Sequence, residues 1–260
     1  MSEPTPVACE PTPTPGTGRV GFRRFSAVEF LGALVLMLFT APFVENLKNG
    51  ETIDSALMTL VLVSGVLAVG RNRRTLLLAA VLMLPAVLSR WVHHFRQDAL
   101  TLEVHHVAAL VFIAFVEIRL LHFIFRARRV DSEVLCAGIS GYLLLGVLWM
   151  LAYMLVSGLN PNPGDAAHPA AFAFNVGTSP AGPLPIFDAY YFSFITLSTV
   201  GYGDITPVTH AARTLAMAEA MTGTLYVAVL ISRLVAMYSS ENLGANSQQP
   251  GQRNMNLGKP

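Results

Sequence analysis

The sequence is poor in charge and in cysteine. Only 13% of its 260 residues are charged, whereas 53% are hydrophobic, and soluble domains carry about 25% charged residues. Because the hydrophobic residues come in long uncharged runs, a disordered chain and a soluble domain are both excluded. Cys9 and Cys136 are too few for a disulfide-stapled secreted domain. The composition therefore indicates a polytopic membrane protein.

The two ends of the chain lack apolar stretches. Residues 1–18 contain five prolines and no apolar core of a removable signal peptide. We therefore expect residues 1–25 to be a disordered cytoplasmic N-terminus. The polar residues 239–260 are predicted to be a disordered cytoplasmic tail, too short to hold a folded ligand-binding domain.

Six segments are apolar over roughly the 20 residues that a helix needs to cross a bilayer. They are residues 27–43, 53–70, 76–92, 104–125, 134–159 and 211–238. The third is the weakest candidate, since Pro85 interrupts it and Arg90 lies near its end. The sequence thus predicts an all-α membrane protein with six transmembrane helices.

Basic residues indicate the orientation of these spans. The side of the N-terminus carries Arg19, Arg23, Arg24, Arg71, Arg73, Arg74, Arg126, Arg128 and Arg129, and the other side carries Lys48, Arg90, Arg96 and Arg213. The positive-inside rule therefore predicts a cytoplasmic N-terminus. Six crossings return the C-terminus to the same side.

A segment between the fifth and sixth spans, residues 160–210, changes character halfway. Its first half is a loop rich in proline and glycine, whereas residues 187–198 are apolar and contain neither. Because this stretch is too short to cross a bilayer, it is predicted to be a re-entrant helix. Irregular backbone at membrane depth is tolerated only inside protein or along a watery cavity.

The residues after this helix are Thr199, Val200, Gly201, Tyr202, Gly203 and Asp204. They resemble the selectivity filter of the tetrameric potassium channel family. The order of outer helix, re-entrant helix, filter and inner helix also resembles the pore module of that family. With four spans before it, the chain is similar to a six-span bacterial channel subunit of the prokaryotic inner (plasma) membrane.

The resemblance implies how these residues act. Backbone carbonyls of Thr199, Val200, Gly201 and Tyr202, with the Thr199 hydroxyl, would replace the water around K⁺, and Gly201 and Gly203 would permit the unusual backbone. One chain supplies a quarter of each ring, so a homotetramer in the lipid bilayer is implied. K⁺ is the permeant ion; no cofactor, nucleic acid or small-molecule ligand is expected.

Support for the filter is also implied by the resemblance. Tyr191 and Phe192 stand where many family members have two tryptophans. Tyr191 is predicted to hydrogen-bond Asp204 behind the filter. Because Phe192 has no polar group, Thr196 is the expected partner of the Tyr202 hydroxyl.

The inner helix contains Gly223, 20 residues after Gly203. The family resemblance implies a gating hinge at this position, and the alternative is a glycine that lets neighbouring helices approach. Farther along, Arg233 is expected to extend to the cytoplasmic interface.

The first four spans resemble a voltage-sensor domain with a degenerate charge pattern. Possible voltage-sensing residues are Arg119, His122, Arg126 and Arg128. Only Arg119 lies clearly at membrane depth, whereas steep gating needs three or four charges per subunit. We expect Arg119 to pair with Glu29 or Glu117 in a packing role, and voltage dependence to be weak or absent.

Four histidines are predicted to lie near the outer face: His93, His94, His105 and His106. With Asp98 and Glu103 they form a hypothetical zinc or pH-sensing site. Their spacing matches no standard metal site, so interfacial histidines without that role are the favoured interpretation.

The sequence as a whole predicts a potassium channel that conducts passively and is not an enzyme. Its predicted domains are a voltage-sensor-like domain over residues 26–130 and a pore domain over residues 131–238. The alternatives are a voltage-gated potassium channel, a non-conducting regulatory channel subunit, a four-repeat potassium transporter and a non-selective cation channel.

Overall fold

The computed structural model describes residues 27–44, 50–69, 73–96, 99–127, 132–159, 170–177 and 182–247. The N-terminal segment 1–25, the last tail residues, Arg128 and Asp98 lie outside these ranges. The predictions made for them therefore remain predictions.

Seven helices and two short strands make up the described part of the chain. They are α1 (Ala27–Val44), α2 (Gly50–Val69), α3 (Arg73–Arg96), α4 (Ala99–Arg126), α5 (Ser132–Gly158), β1 (Phe172–Phe174), α6 (Ile186–Leu197), β2 (Ile205–Pro207) and α7 (His210–Ser247). Each predicted span falls on one of the long helices, and the predicted re-entrant segment falls on α6. The mostly helical fold is therefore confirmed.

Among the described residues, four helices are long and apolar enough to cross a bilayer. Their apolar stretches are Arg73–His93, Thr101–Arg126, Ser132–Gly158 and His210–Ala236. The apolar stretches of α1 and α2, Ala27–Thr40 and Thr52–Ala68, are shorter. The count of six crossings consequently remains a prediction for these two helices.

The third span is stronger than its sequence suggested. Helix α3 continues through Pro85 without a break, and its apolar stretch has a mean hydropathy of 1.9. Arg90 does not stand alone, because its guanidinium lies 2.6 Å from an oxygen of Asp54 and 2.9 Å from the Ser55 hydroxyl. Pairing across α2 and α3 explains how the charge is accommodated.

Helix α5 joins the two halves of the molecule. It packs against α1 and α4 on one side and against α6 and α7 on the other. Two of its aromatic contacts converge behind α6, where the Tyr153 ring centroid lies 4.9 Å from that of Phe192 and 5.6 Å from that of Phe172. This aromatic cluster fixes the short helix α6 against the long helix α5.

The outer loop contains a strand that the proline and glycine content concealed. Strand β1 pairs antiparallel with β2, with Phe172 opposite Pro207 and Phe174 opposite Ile205. Since β2 directly follows the Gly-Tyr-Gly-Asp sequence, the pairing anchors the end of that segment to the outer loop. The sequence predicts only an irregular loop here, so the strand pairing is a feature that the structure adds.

Helix α7 extends beyond its predicted end at residue 238 and stops at Ser247. The predicted disordered tail 239–260 is therefore wrong for its first residues. Extending a formed helix adds a hydrogen bond for each residue fixed, so polar residues without proline prolong it readily.

Candidate functional site

The site begins where α6 ends. Ser198 closes the helix, because its backbone N–H and its hydroxyl both donate to the Phe194 carbonyl, at 3.1 and 2.6 Å. The Val200 N–H then donates to the Ile195 carbonyl at 2.9 Å. The chain thus leaves the helix folded back against its C-terminal turn, where the helix dipole is negative.

Alternate residues of the next segment have left-handed backbone angles. The φ angles are 60° at Thr199, 54° at Gly201 and 80° at Gly203. A positive φ is costly for a β-branched residue such as threonine, and such outliers cluster at functional sites. When left-handed and ordinary residues alternate, consecutive peptide groups can turn their polar atoms to the same side of the chain. In anion-binding nests those atoms are N–H groups, whereas a cation site needs carbonyl oxygens.

This segment is exposed in a single chain. Every residue from 198 to 203 is exposed, and the Val200 and Tyr202 side chains are 51% and 71% exposed. Irregular backbone at membrane depth must be covered by protein or line a water-filled cavity. One chain therefore presents an incomplete site.

Tyr191 and Asp204 form the hydrogen bond that the sequence predicted. The Tyr191 hydroxyl donates to the Asp204 carboxylate at 2.6 Å. This bond keeps the pKa of Asp204 below its usual value and raises the pKa of Tyr191 to about 12. The contact is confirmed, and the bond stabilises the ionised carboxylate.

Thr196 has a different environment from the one expected. Its carbonyl accepts the Thr199 N–H at 3.0 Å, whereas its hydroxyl makes no hydrogen bond to Tyr202 within the described residues of one chain. The Tyr202 ring points away from its own subunit and is 71% exposed. A Thr196–Tyr202 contact therefore remains a prediction for an assembly of chains.

Asn175, in the outer loop, was missed in the sequence. Its side-chain amide donates to the Gly203 carbonyl at 2.7 Å, and its backbone N–H donates to the Asp204 carbonyl at 2.7 Å. The available signal was weak, since an asparagine in a loop rich in glycine and proline usually indicates only a turn. The contact ties the outer end of the segment to β1.

Gly223 is a point of close helix approach. A Cβ atom added there would overlap the Leu197 carbonyl oxygen and lie 2.9 Å from the Leu197 Cδ1. Helix α7 continues through this position. Gly223 therefore lets α7 pack closely against the end of α6, and the hinge role remains a prediction.

Glu219, a second residue missed in the sequence, lies one turn before Gly223 on α7. Its side chain is fully buried and contacts Tyr153 and Ser193. The signal was present, because Glu219 is the only acidic residue of the predicted span 211–238. An ionisable residue in such a span is a functional candidate by default.

The predicted pairing of Arg119 is wrong for the residues that the structure describes. Arg119 makes no ion pair there, and its Nε is buried without a partner. Glu29 is exposed, whereas Glu117 is buried towards Gly141 on α5 with both oxygens unpaired. Residues two apart on a helix face different sides, which separates Arg119 from Glu117.

The other predicted voltage-sensing residues are at the exposed end of α4. His122 and Arg126 are exposed, and Arg128 is outside the described residues. Arg233 lies beside the C-terminal end of α4, and its extension to the cytoplasmic interface remains a prediction. Its guanidinium donates to the carbonyls of Phe125 and Ala127, at 2.9 and 2.8 Å, because the C-terminus of α4 attracts a cation.

The outer histidines whose side chains are described do not form a metal site, and the side chain of His94 lies outside the described residues. His105 and His106 are buried within the helices, and His105 Nδ1 donates to the Ala86 carbonyl at 2.8 Å. His93 Nδ1 instead lies 3.2 Å from the Thr101 hydroxyl. No group of three metal-ligating side chains is present in the part of the chain that the structure describes.

Comparison with known proteins places this site in a family. Residues 169–240 match the family described as "Ion channel". This stretch holds β1, α6, the segment with alternating φ, β2 and most of α7. The chain therefore contains an ion channel pore domain, and it is a multi-pass membrane protein rather than an enzyme.

Potassium channels are among its relatives. The chain is 47% identical over 60 residues to two pore potassium channel c of Oryza sativa subsp. japonica, covering 23% of this chain and 13% of that protein. It is 33% identical over 101 residues to the inward rectifier potassium channel Kirbac3.1 of Paramagnetospirillum magnetotacticum, covering 39% and 34%. It is 45% identical over 49 residues to two-pore potassium channel 4 of Arabidopsis thaliana, covering 19% and 17%. Each match thus spans about a third or less of the relative.

Proposed function

We propose that the chain is a potassium-selective channel subunit that conducts K⁺ passively. The observation that carries the proposal is the alternation of positive φ angles at Thr199, Gly201 and Gly203. This backbone supports an inward row of carbonyl oxygens from Thr199, Val200, Gly201 and Tyr202. Such oxygens replace the hydration shell of a K⁺ ion.

The proposed channel is a homotetramer. The filter of one chain is uncovered, and the apolar side chains of α7 remain exposed beside it, with Met217 at 62%, Met221 at 65% and Leu225 at 60%. Four copies around one axis would bury the outer face of each filter against its neighbour and line a central cavity. The negative end of α6 favours a cation in that cavity.

The proposed membrane arrangement has six crossings, with α6 and the filter between the fifth and sixth. Residues 26–130 form a voltage-sensor-like domain and residues 131–238 the pore domain. Arginines near the ends of the spans support cytoplasmic termini in a prokaryotic inner membrane.

Gating in this proposal depends weakly or not at all on voltage. Arg119 has no acidic partner among the described residues, and His122 and Arg126 are exposed near the end of α4. A voltage sensor needs several charges that exchange partners as they move through the field. The voltage-gated alternative requires Arg119, His122, Arg126 and Arg128 to act together.

The experiment is a planar bilayer recording of the purified chain with K⁺ on one side and Na⁺ on the other. We expect currents that reverse at a potential strongly negative on the K⁺ side, as a high K⁺/Na⁺ permeability ratio requires, with fewer than about three elementary charges of gating per channel. Reversal near zero would contradict selectivity. Silence of the chain alone would favour the non-conducting regulatory subunit.

A further inference from the structure

Three helices of the pore domain meet at one buried carboxyl group. Glu219 on α7 has no exposed surface. The Tyr153 hydroxyl on α5 donates to its Oε2, and Ser193 Oγ on α6 lies 2.6 Å from its Oε1. Ser193 Oγ also lies 2.8 Å from the Gly146 carbonyl oxygen of α5. We call Tyr153, Ser193 and Glu219 the pore-helix network.

The network can be counted proton by proton. It contains three short oxygen–oxygen contacts, and each needs one proton. Tyr153 and Ser193 supply one hydroxyl proton each, whereas the Gly146 carbonyl can only accept. If Glu219 is ionised, two protons serve three contacts, and the single Ser193 proton must leave either Gly146 or Glu219 without a donor.

A protonated Glu219 supplies the third proton that the three contacts need. Its carboxyl O–H donates to Ser193, the Ser193 hydroxyl donates to Gly146, and the Tyr153 hydroxyl donates to Oε2. No basic side chain contacts Glu219 in the described part of the chain, so an ionised form would be a buried charge without a counter-ion. Both the proton count and the absence of a cation favour the neutral acid.

The network acts on the filter through α6. Ser193 lies two residues after Tyr191, which holds Asp204, and one residue before Phe194, whose carbonyl accepts two bonds from Ser198. Phe192 packs its ring on Tyr153, with centroids 4.9 Å apart. The rotation and depth of α6 therefore depend on the Ser193–Glu219 bond.

From this geometry we infer that Glu219 is a positioning residue that holds α6, as a neutral hydrogen-bond donor, in the orientation that shapes the ion filter. The inference rests on the proposed function, because the filter is what the helix positions. It assigns Glu219 no contact with the permeant ion and no attraction of cations by charge.

The variants Glu219→Gln and Glu219→Leu separate this role from a charge effect. A glutamine amide donates to Ser193 and accepts from Tyr153, so the proton count is preserved without a titratable group. Leucine has a similar volume and keeps neither bond. We expect the K⁺/Na⁺ permeability ratio of Glu219→Gln to stay within about twofold of the parent chain. That of Glu219→Leu should fall at least about tenfold, since each of the two lost hydrogen bonds changes an equilibrium roughly fivefold.

Two results would overturn the inference. If Glu219→Gln is impaired as much as Glu219→Leu, the carboxylate charge matters. If Glu219→Leu keeps the parental ratio, the network does not position the filter. Because Glu219→Leu could prevent folding, Ser193→Ala provides a second variant that removes the hydroxyl alone, and it should lower the ratio in the same direction. An unchanged ratio in Ser193→Ala would also count against the inference.

Infrared spectroscopy of the purified parent chain tests the protonation state without any current. The C=O stretch of a protonated carboxylic acid should lose intensity in Glu219→Gln. Glu117→Gln serves as the matched control, because Glu117 is also buried but lies outside the pore-helix network. An acid band unchanged by Glu219→Gln contradicts a neutral Glu219. A parent chain that passes no K⁺ instead overturns the proposed function and leaves the infrared result to decide the protonation.

Discussion

The polar groups around the filter and those of the first four helices are arranged differently. Near the filter, Tyr191, Asp204 and Asn175 are joined by hydrogen bonds within one chain. In the first four helices, buried atoms of Glu117 and Arg119 have no partner among the described residues. A buried polar group without a partner is costly. The contrast indicates that one chain fixes the residues beside the proposed filter in advance, whereas it leaves the buried groups of Glu117 and Arg119 unpaired.

The largest effect is expected from a substitution that strains the backbone of the filter. Gly201→Ala places a Cβ on a residue whose φ is 54°, at a cost of about 1–2 kcal/mol per chain. Summed over a fourfold ring, this should lower rubidium flux into vesicles by more than about 100-fold. Gly177→Ala is the matched control, since its φ is 83° and an added Cβ would meet nothing within 4 Å. Equal loss of flux in both variants would contradict the account.

The next effect concerns the close approach of α7 to α6. Gly223→Ala adds a methyl group against the Leu197 carbonyl, and overpacking of this kind costs about 1–3 kcal/mol. We expect a lower thermal midpoint for loss of the assembled protein, together with a reduced K⁺/Na⁺ permeability ratio. A change of open probability with stability and selectivity intact would instead support a hinge.

A smaller effect is expected when the Tyr191 hydroxyl is removed. Tyr191→Phe deletes the bond to Asp204, so current should decline several-fold faster during sustained recording. Tyr190→Phe is the control, because the Tyr190 ring stacks on the Phe194 ring, with centroids 4.9 Å apart, instead of lying against Asp204. Equal rates of decline in the two variants would show that the bond does not support the filter.

The same bond has a pH signature. Because the Tyr191 hydroxyl lowers the pKa of Asp204, its stabilising effect is present above the ordinary aspartate pKa of about 4 and is lost as pH falls through the lowered value. Mild external acidification should therefore leave the current of the parent chain unchanged. In Tyr191→Phe the acid-induced decline should move to higher pH, and an unmoved midpoint would argue against the link.

The smallest effect is expected in the first four helices. Arg119→Gln removes the one basic residue clearly at the depth of the α4 span, yet Arg119 makes no ion pair in the described structure. The slope of the conductance–voltage relation should stay the same within error. A marked loss of slope would show that Arg119 carries gating charge and would favour the voltage-gated alternative.

Much of the fold could be predicted from local patterns. Apolar runs located the helices, and the length of residues 187–198 separated the re-entrant helix from the spans. The Tyr191–Asp204 bond followed from the family resemblance. Patterns of this kind act over neighbouring residues, which is why they succeeded for helices and for the residues beside the filter.

Contacts between distant residues could not be predicted in the same way. The pairing of β1 with β2 joins residues more than 30 positions apart, and Arg233 reaches the end of α4 across more than 100 positions. The strand pairing was not predicted because the outer loop is rich in proline and glycine, which usually indicate irregular loops. For Glu219 the signal was present, but its partners Tyr153 and Ser193 are brought together only by packing.

The most direct test of the central claim mixes parental chains with Gly201→Ala chains in equal amounts before reconstitution. If four chains contribute carbonyls to one filter and one strained chain is enough to block it, the remaining K⁺ flux is about one sixteenth of the parental value. A remaining flux of about one half would mean that each chain conducts alone, and this result would contradict the shared filter.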